Sequence, residues 1–323
     1  MMLTSVEICA GAGGQALGLE MAGFEHIALV EIEKNFCETL RLNRPDWNVV
    51  NQDLRDFSGA PYAGVDLLAG GVPCPPFSKA GKQLGHEDER DMFPEALRLV
   101  EEIRPKAVML ENVRGLMDAV FEDYRKKIQR RLQKLGYHTD WRLLNASDFG
   151  VPQLRPRVIF LAIRKDVADE VPWPAVSEHK APTVGETLVD LMAANGWKGA
   201  KKWAAQADEI APTLVGGSKK HGGPDLGPTR SKKAWASLGV DGMGLWDDAP
   251  PKDFVGAPRL TVRMAARIQG FPDDWALTGR KTPAYRQIGN AFPPPVACAI
   301  GMALARILLA AKKREQVTGK VAA

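Results

Sequence analysis

Short apolar runs alternate along the first half of the chain with stretches in which apolar residues return every three or four positions. The runs at 5–10, 27–32, 49–52, 65–69 and 107–111 have the length and continuity of buried strands. Between them, 15–21, 35–42, 92–103 and 123–135 carry helical spacing; in the last, Tyr124, Ile128, Leu132 and Leu135 share one face. Repeated strand–helix–strand predicts an α/β fold built on a doubly wound, Rossmann-like, largely parallel sheet. A further pair of runs, 139–145 and 157–163, lies close together in sequence and predicts a hairpin that closes the sheet.

The texture changes after Pro172. From 174 to 258 the chain is rich in Gly, Pro, Lys and Trp with weak periodicity, which predicts a smaller, irregular second domain. Boundaries follow: a first domain over 1–175, completed by 285–323, and a second over 176–284. Between 198 and 233, eight basic residues (Lys198, Lys201, Lys202, Lys219, Lys220, Arg230, Lys232, Lys233) face three acidic ones (Asp208, Glu209, Asp225). That excess reads equally as a binding surface or as solvated loops. The stretch 296–311 approaches the hydrophobicity of a membrane span, but it is short, contains Arg306 and follows a proline run. A helix packed onto the first domain is expected there, and no membrane.

The 323 residues carry a net charge of +4, which permits a nucleic-acid partner without requiring one. The four cysteines, Cys9, Cys37, Cys74 and Cys298, are widely spaced, so neither a disulfide framework nor a zinc site is expected. With no signal-peptide pattern at the N-terminus, a cytoplasmic protein is expected.

Candidate chemistry gathers at the carboxyl ends of the predicted strands. Val72-Pro-Cys74-Pro-Pro-Phe-Ser78 follows Gly70-Gly71 and clamps a thiol between prolines on a stiff, extended loop. Such a mount favours a nucleophile over a packing cysteine. Glu7-Ile-Cys9-Ala-Gly11-Ala-Gly13-Gly14 follows the first strand and opens the first helix, as in dinucleotide-binding turns, although the spacing is not Gly-x-Gly-x-x-Gly. Glu31 ends the second strand, where a carboxylate accepts from a ribose diol; Asp53, after the third, suits an adenine amino group. Together the three point to an adenosine-type cofactor, although each acid alone is more often a cap or a solvated end. Glu111-Asn112-Val113 offers either an acid in the same crevice or a capping pair. Gln153-Leu-Arg155-Pro-Arg157 sets two guanidinium groups at i, i+2, suited to phosphates or a carbonyl oxygen, although surface salt bridges are the commoner use.

Taken in order, these motifs resemble the cytosine-5 DNA methyltransferases. The likeness continues through Arg259-Leu-Thr261-Val-Arg263-Met264-Ala-Ala-Arg267-Ile-Gln269-Gly-Phe271-Pro272 and Tyr285-Arg-Gln-Ile-Gly289-Asn290, covering nearly everything outside 176–258. The resemblance implies that Cys74 attacks C6 of a flipped cytosine, Glu111 acts at N3, Arg157 holds O2 and Arg155 supports the site. It implies S-adenosylmethionine as methyl donor and no metal. The donor's pocket would be formed by Cys9, Gly11, Ala12, Gly13, Gly14, Glu31, Ile32, Asp53, Leu54, Pro73 and Asn290. Double-stranded DNA would meet Ser78, Gln153, Thr213, Lys219, Lys220, Arg230, Lys232, Lys233 and Arg259, with 176–284 as target recognition domain. A monomer is expected, acting beside a restriction endonuclease without a stable complex. Two departures stand out: Glu7-Ile-Cys9 replaces the family's Asp-Leu-Phe, removing an aromatic from the adenine site, and Met264 replaces a glutamate, for which a local adjustment is expected. The rival readings are a transfer-RNA cytosine-5 methyltransferase, a nucleic-acid-binding regulator without catalysis, and a nicotinamide dehydrogenase.

Overall fold

The computed structural model describes residues 2–73, 91–216 and 224–321, with side chains through residue 317. Seven strands form one sheet: β1 (Leu3–Ile8), β2 (Phe24–Glu31), β3 (Val49–Asn51), β4 (Leu67–Gly70), β5 (Ala107–Val113), β6 (Tyr137–Asn145) and β7 (Pro156–Arg164). Their order is β3-β2-β1-β4-β5-β7-β6, with the first five parallel. β7 runs antiparallel between β5 and β6, so the hairpin closes the sheet with its second strand inside. β4 and the inner part of β1 are buried on both faces, the mark of a parallel strand covered by helices on each side.

The chain winds outward from β1 to β3, returns, and lays β4 on the other side of β1. The crevice beyond the carboxyl ends of β1 and β4 is therefore a topological switch point, where open α/β sheets bind ligands. β1 ends two residues earlier than the apolar run suggests. Cys9 (φ 51°), Gly11 (φ 56°) and Gly13 (φ 86°) take left-handed backbone and turn the chain into α1 (Gly14–Met21).

The remaining helices of the sheet layer are α2 (Lys34–Asn43), α3 (Phe93–Ile103) and α4 (Glu122–Lys134). In α3, Phe93, Ala96, Leu97, Val100 and Ile103 form the buried stripe, and the helix stops at left-handed Arg104 just before Pro105.

Between 176 and 284 the described residues contain no strand; four short helices surround a core of tryptophans. These are α5 (Val184–Met192), α6 (Ala200–Gln206), α7 (Thr229–Ser237) and α8 (Val262–Ile268). Trp197, Trp203, Trp235 and Trp275 are all buried in one cluster that also takes in Leu17 of α1. Met264 explains itself locally. Thr261 caps α8 by accepting the Met264 N–H, and the Met264 thioether accepts the Thr261 N–H at 3.4 Å, so sulfur occupies the place of a carboxylate in the capping box.

α9 (Lys281–Asn290) leads into α10 (Pro294–Val321), which lies on α1. A Cβ on Gly18 would fall 2.3 Å from the Pro294 carbonyl oxygen, so glycine sets the spacing of the two helices. By length and composition α10 would be able to cross a membrane, but Val296, Ala297, Ile300, Leu304 and Leu308 are buried against the sheet layer.

Candidate active site

At the switch point lies a cavity of about 400 Å³. Its walls come from the β1–α1 turn, the ends of β2 to β5, and the end of α9. Ten of the eleven residues expected around the methyl donor line it: Cys9, Gly11, Ala12, Gly14, Glu31, Ile32, Asp53, Leu54, Pro73 and Asn290. Gly13 is the exception. A Cβ there would lie 2.7 Å from Leu40 and 2.9 Å from Trp275, so this glycine serves the packing behind the turn rather than the cavity.

Glu31 is buried at the end of β2, and its two oxygens accept the backbone N–H groups of Gly11 (2.7 Å) and Glu33 (2.8 Å). Burial raises its carboxyl above the ordinary range, while those two donors pull it down. The carboxylate is thereby aimed into the cavity with lone pairs left for a diol. Asp53 is held differently: Arg55 pairs with it through two guanidinium contacts, at 2.6 and 3.0 Å, and keeps its carboxyl low.

Cys9 and Ile32 offer no ring, but Phe36, in the first turn of α2, lines the same cavity half-buried and belongs to no core cluster. Phe36 was not foreseen, because nothing in the helical pattern of 35–42 separates a cavity ring from a packing ring. Glu7, Gln15, Arg55, Met92 and Gln287 also line the cavity without having been expected there. The deep glycine turn, the tethered ribose-type acid and a buried, unpartnered Glu7 oxygen fit an adenosine-bearing cofactor with a polar tail.

The other end of the cavity holds a charged pair. Glu111, on β5, is buried and lines it, with Oε1 2.8 Å from the Arg157 Nε of β7. The antiparallel register opposes Val113 to Arg157 and Glu111 to Ile159, which brings the two charged groups together across neighbouring strands. Burial pushes the Glu111 carboxyl up, and Arg157 and Arg155 pull it back. Burial also pulls Arg157 down, which still leaves a guanidinium cationic at neutral pH. Asn112 donates to the Val72 carbonyl at 2.8 Å and so ties β5 to the segment that enters the proline-flanked loop. Pro73 lines the cavity, and Cys74 follows it directly in sequence, although Cys74 and Ser78 lie outside the described residues.

Arg155 does not share the aspect of Arg157. It is fully buried, and its guanidinium donates to the carbonyls of Leu214 (2.8 Å), Gly289 (2.7 Å) and Ala291 (3.0 Å). It braces two distant segments, at Leu214 and at 289–291, and so acts by position.

Gln153 requires a correction. It is fully buried, donates to Gln269 at 2.7 Å and accepts from the Leu214 N–H at 2.9 Å. With both ends of its amide committed inside the protein, it does not reach the surface where DNA would lie.

The remaining expected DNA contacts divide. Arg230 and Lys233 stand exposed at i, i+3 on α7, with no ion pair to another described residue. Lys232 is paired with Asp225 and Arg259 with Asp241, each at 2.7 Å, so both serve the fold of this region as well as its charge. Thr213 donates its hydroxyl to the Leu154 carbonyl. Lys219 and Lys220 lie outside the described residues.

Comparison with known proteins extends this geometry. The model of the C-5 cytosine-specific DNA methylases matches residues 3–306. The Type II methyltransferase M.NgoMIV of Neisseria gonorrhoeae is 58% identical over 311 residues, 95% of this chain and 99% of its own. M.NaeI of Lentzea aerocolonigenes is 59% identical, over 93% of this chain and 74% of its own. Among solved structures, an Escherichia coli prophage protein described as a putative DNA modification methyltransferase superposes with a TM-score of 0.67 at 23% identity, over 95% of this chain and 99% of that one. Spodoptera frugiperda DNMT2 superposes at 0.63 and 17%, over 95% and 99% of the two chains; at such identity these two matches speak for the fold alone. With a switch-point cavity, a buried carboxyl–guanidinium pair and a family match over nearly its whole length, this chain belongs to the C-5 cytosine-specific DNA methylases, enzymes that use S-adenosylmethionine as methyl donor.

Proposed function

We propose that this enzyme methylates C5 of one cytosine within a short duplex DNA sequence, with Cys74 as nucleophile toward C6 and Glu111 and Arg157 on the pyrimidine edge. The observation that carries this reading is the Glu111–Arg157 pair, 2.8 Å apart, with Glu111 buried and lining a cavity that Pro73 borders immediately before Cys74. A target atom inside a stacked duplex is out of reach, so the base is flipped into the crevice. Cys74 then bonds C6, and Glu111 gives a proton or a strong hydrogen bond to N3 as electron density moves into the ring. Arg157 takes the O2 side, where its cation offsets developing negative charge. S-adenosylmethionine, when bound against Glu31, Asp53 and the β1–α1 turn, supplies an electrophilic methyl group. Loss of the C5 proton and departure of the Cys74 sulfur restore the aromatic ring.

The other cysteines support the choice of Cys74. Burial pushes up the thiols of Cys9 and Cys298, and pushes that of Cys37 up to about 11, so none of the three is a thiolate at neutral pH.

Residues 176–284 are assigned to target recognition, closing over a catalytic unit of 1–175 and 285–323. The exposed cations Arg230 and Lys233 on α7 suit phosphates, and phosphate contacts set affinity and its salt dependence rather than sequence. A restriction endonuclease that cuts the same sequence is the natural counterpart. The test is a randomised duplex library incubated with enzyme and S-adenosylmethionine, then read by bisulfite sequencing. Protected cytosines in a single short context are expected; protection absent from duplex but present on transfer RNA would overturn the DNA assignment.

A further inference from the structure

The outer face of α4 carries cations that the protein leaves without partners. Between Glu122 and Lys134 stand six basic residues and two acidic ones, an excess equal to the net charge of +4 of the whole chain, so all other residues together balance. Ile128 and Leu132 are buried and fix which face turns inward. Three of the six cations are engaged within the protein. Arg125 donates to the carbonyls of Leu116 and Asp118, Lys126 pairs with Glu122 at 2.6 Å, and Arg131 pairs with Glu101 at 2.7 Å. Lys127, Arg130 and Lys134 are exposed and form no ion pair with another described residue. At i, i+3 and i+7 they make a stripe about 10 Å long, enough to follow about three successive phosphates of one DNA strand.

A solvated helix face usually alternates sign at i, i+4, because opposite charges there attract and like charges repel. Here both acids stand in the first turn. Lys134, in the last turn, answers the negative end of the helix dipole. Lys127 and Arg130 lie in the middle turns, with Lys126 and Arg131 beside them, and gain nothing from the dipole.

Placement gives the stripe its occupant. β5 brings Glu111 to the cavity, and the chain then leaves the sheet through exposed Arg114 and turns back as α4. Arg125 fastens that turn to the helix, and the Tyr124 hydroxyl donates to the Asp91 carboxylate at 2.6 Å. Asp91 follows the segment that bears Cys74, so the stripe sets out from the rim of the crevice. α4 packs with α3 in one core cluster, whereas α1 and α10 share another on the opposite face of the sheet. The core of 176–284 takes in Leu17 of α1, so the stripe lies apart from the region assigned to target recognition. The polyanion on which this family acts is DNA. Cations on the rim, outside 176–284, suit phosphates and read no bases.

We infer that Lys127, Arg130 and Lys134 bind the phosphate backbone of the duplex beyond the methylated sequence, so that α4 draws affinity from flanking DNA whatever its bases. The inference rests on the reading that this enzyme takes duplex DNA.

The test compares the wild type with a Lys127→Gln, Arg130→Gln, Lys134→Gln triple variant on two duplexes that share the methylated sequence recovered from the randomised library. One has about 12 base pairs and the other about 40, the longer running well past the stripe. Binding is followed by fluorescence anisotropy across a salt series, with methyl transfer to the short duplex measured alongside. The wild type is expected to bind the long duplex more tightly than the short one. In the triple variant that gain is expected to shrink by about 10-fold or more, and the slope of log affinity against log salt on the long duplex to become shallower by about two to three. On the short duplex, affinity and rate are expected to stay within about twofold, since cations out of contact are screened. Lys127→Arg combined with Lys134→Arg, which keeps the charge, is expected to retain the gain. Equal weakening on both duplexes would mark a general loss of net charge, and an unchanged gain on the long duplex would make the stripe a solvated face; either result overturns the inference alone. No methyl transfer by the wild type to either duplex would remove the duplex-DNA reading and the inference with it.

Discussion

A Cys74→Ser enzyme is expected to bind S-adenosylhomocysteine as the wild type does and to lose methyl transfer by a factor on the order of 10⁴–10⁶, the scale seen when a covalent nucleophile is removed. Sulfur and oxygen differ here in two ways that act together. A thiol is partly ionised near neutral pH and its anion is highly nucleophilic, whereas a serine hydroxyl needs a strong base beside it. The described lining of the cavity offers no histidine for that purpose, and its acids Glu111 and Glu31 are each engaged, the first with Arg157 and the second with two backbone N–H groups. Single-turnover transfer of labelled methyl to duplex DNA measures the loss. A residual rate within about tenfold of wild type would mean that the ring is activated without a covalent bond to sulfur, and the nucleophile assignment would fall.

Glu111→Gln carries the second large effect, a fall in kcat of about 10²- to 10⁴-fold, typical for removal of a general acid. The substitution keeps shape and a hydrogen-bond donor but cannot deliver a proton. It also changes the pH profile. Burial raises the carboxyl of Glu111, and the Arg157 and Arg155 cations only restrain that rise. As an acid, Glu111 works in its protonated form, so kcat declines as pH rises through its raised pKa. In Glu111→Gln that limb should disappear while the cofactor affinity stays. A glutamine enzyme that retains both the rate and the limb would show that the limb belongs to another group.

How far the sequence reaches into this structure depends on the range of the interactions concerned. The strands from β1 to β5 were legible because each is a short, unbroken apolar run, and their carboxyl ends carried Glu31, Asp53 and Glu111 to one crevice as expected. Where the deciding partner lies far along the chain, local reading missed it. Gly13 resembled a ligand-facing glycine, but its neighbours are Leu40 and Trp275. Gln153, set beside two arginines, resembled a surface contact; Gln269 and Leu214 hold it in the interior. Arg259 looked free for phosphate until Asp241, eighteen residues away, proved to pair with it.

The tryptophan-rich core between 176 and 284 escaped periodicity for a different reason. Its helices are only seven to nine residues long, about two turns each, too short for a repeating apolar stripe to declare itself. Phe36 and Gln15 show the same limit within the site. A ring or an amide on the first turn of a helix looks alike in sequence whether it meets a core or a cavity, and only the absence of a partner in the folded chain tells the two apart.

The most direct test of the account uses a duplex carrying 5-fluorocytosine at the methylated position, incubated with enzyme and S-adenosylmethionine and then denatured. Fluorine at C5 cannot leave as the proton does, so the enzyme is held on the base once the methyl group has been added. The account predicts a DNA–protein adduct that survives denaturation and maps, after trypsin digestion, to the peptide 56–79 that contains Cys74. Complete recovery of free protein from a methylated fluorinated duplex, or an adduct on the peptide that bears Cys9, would contradict it.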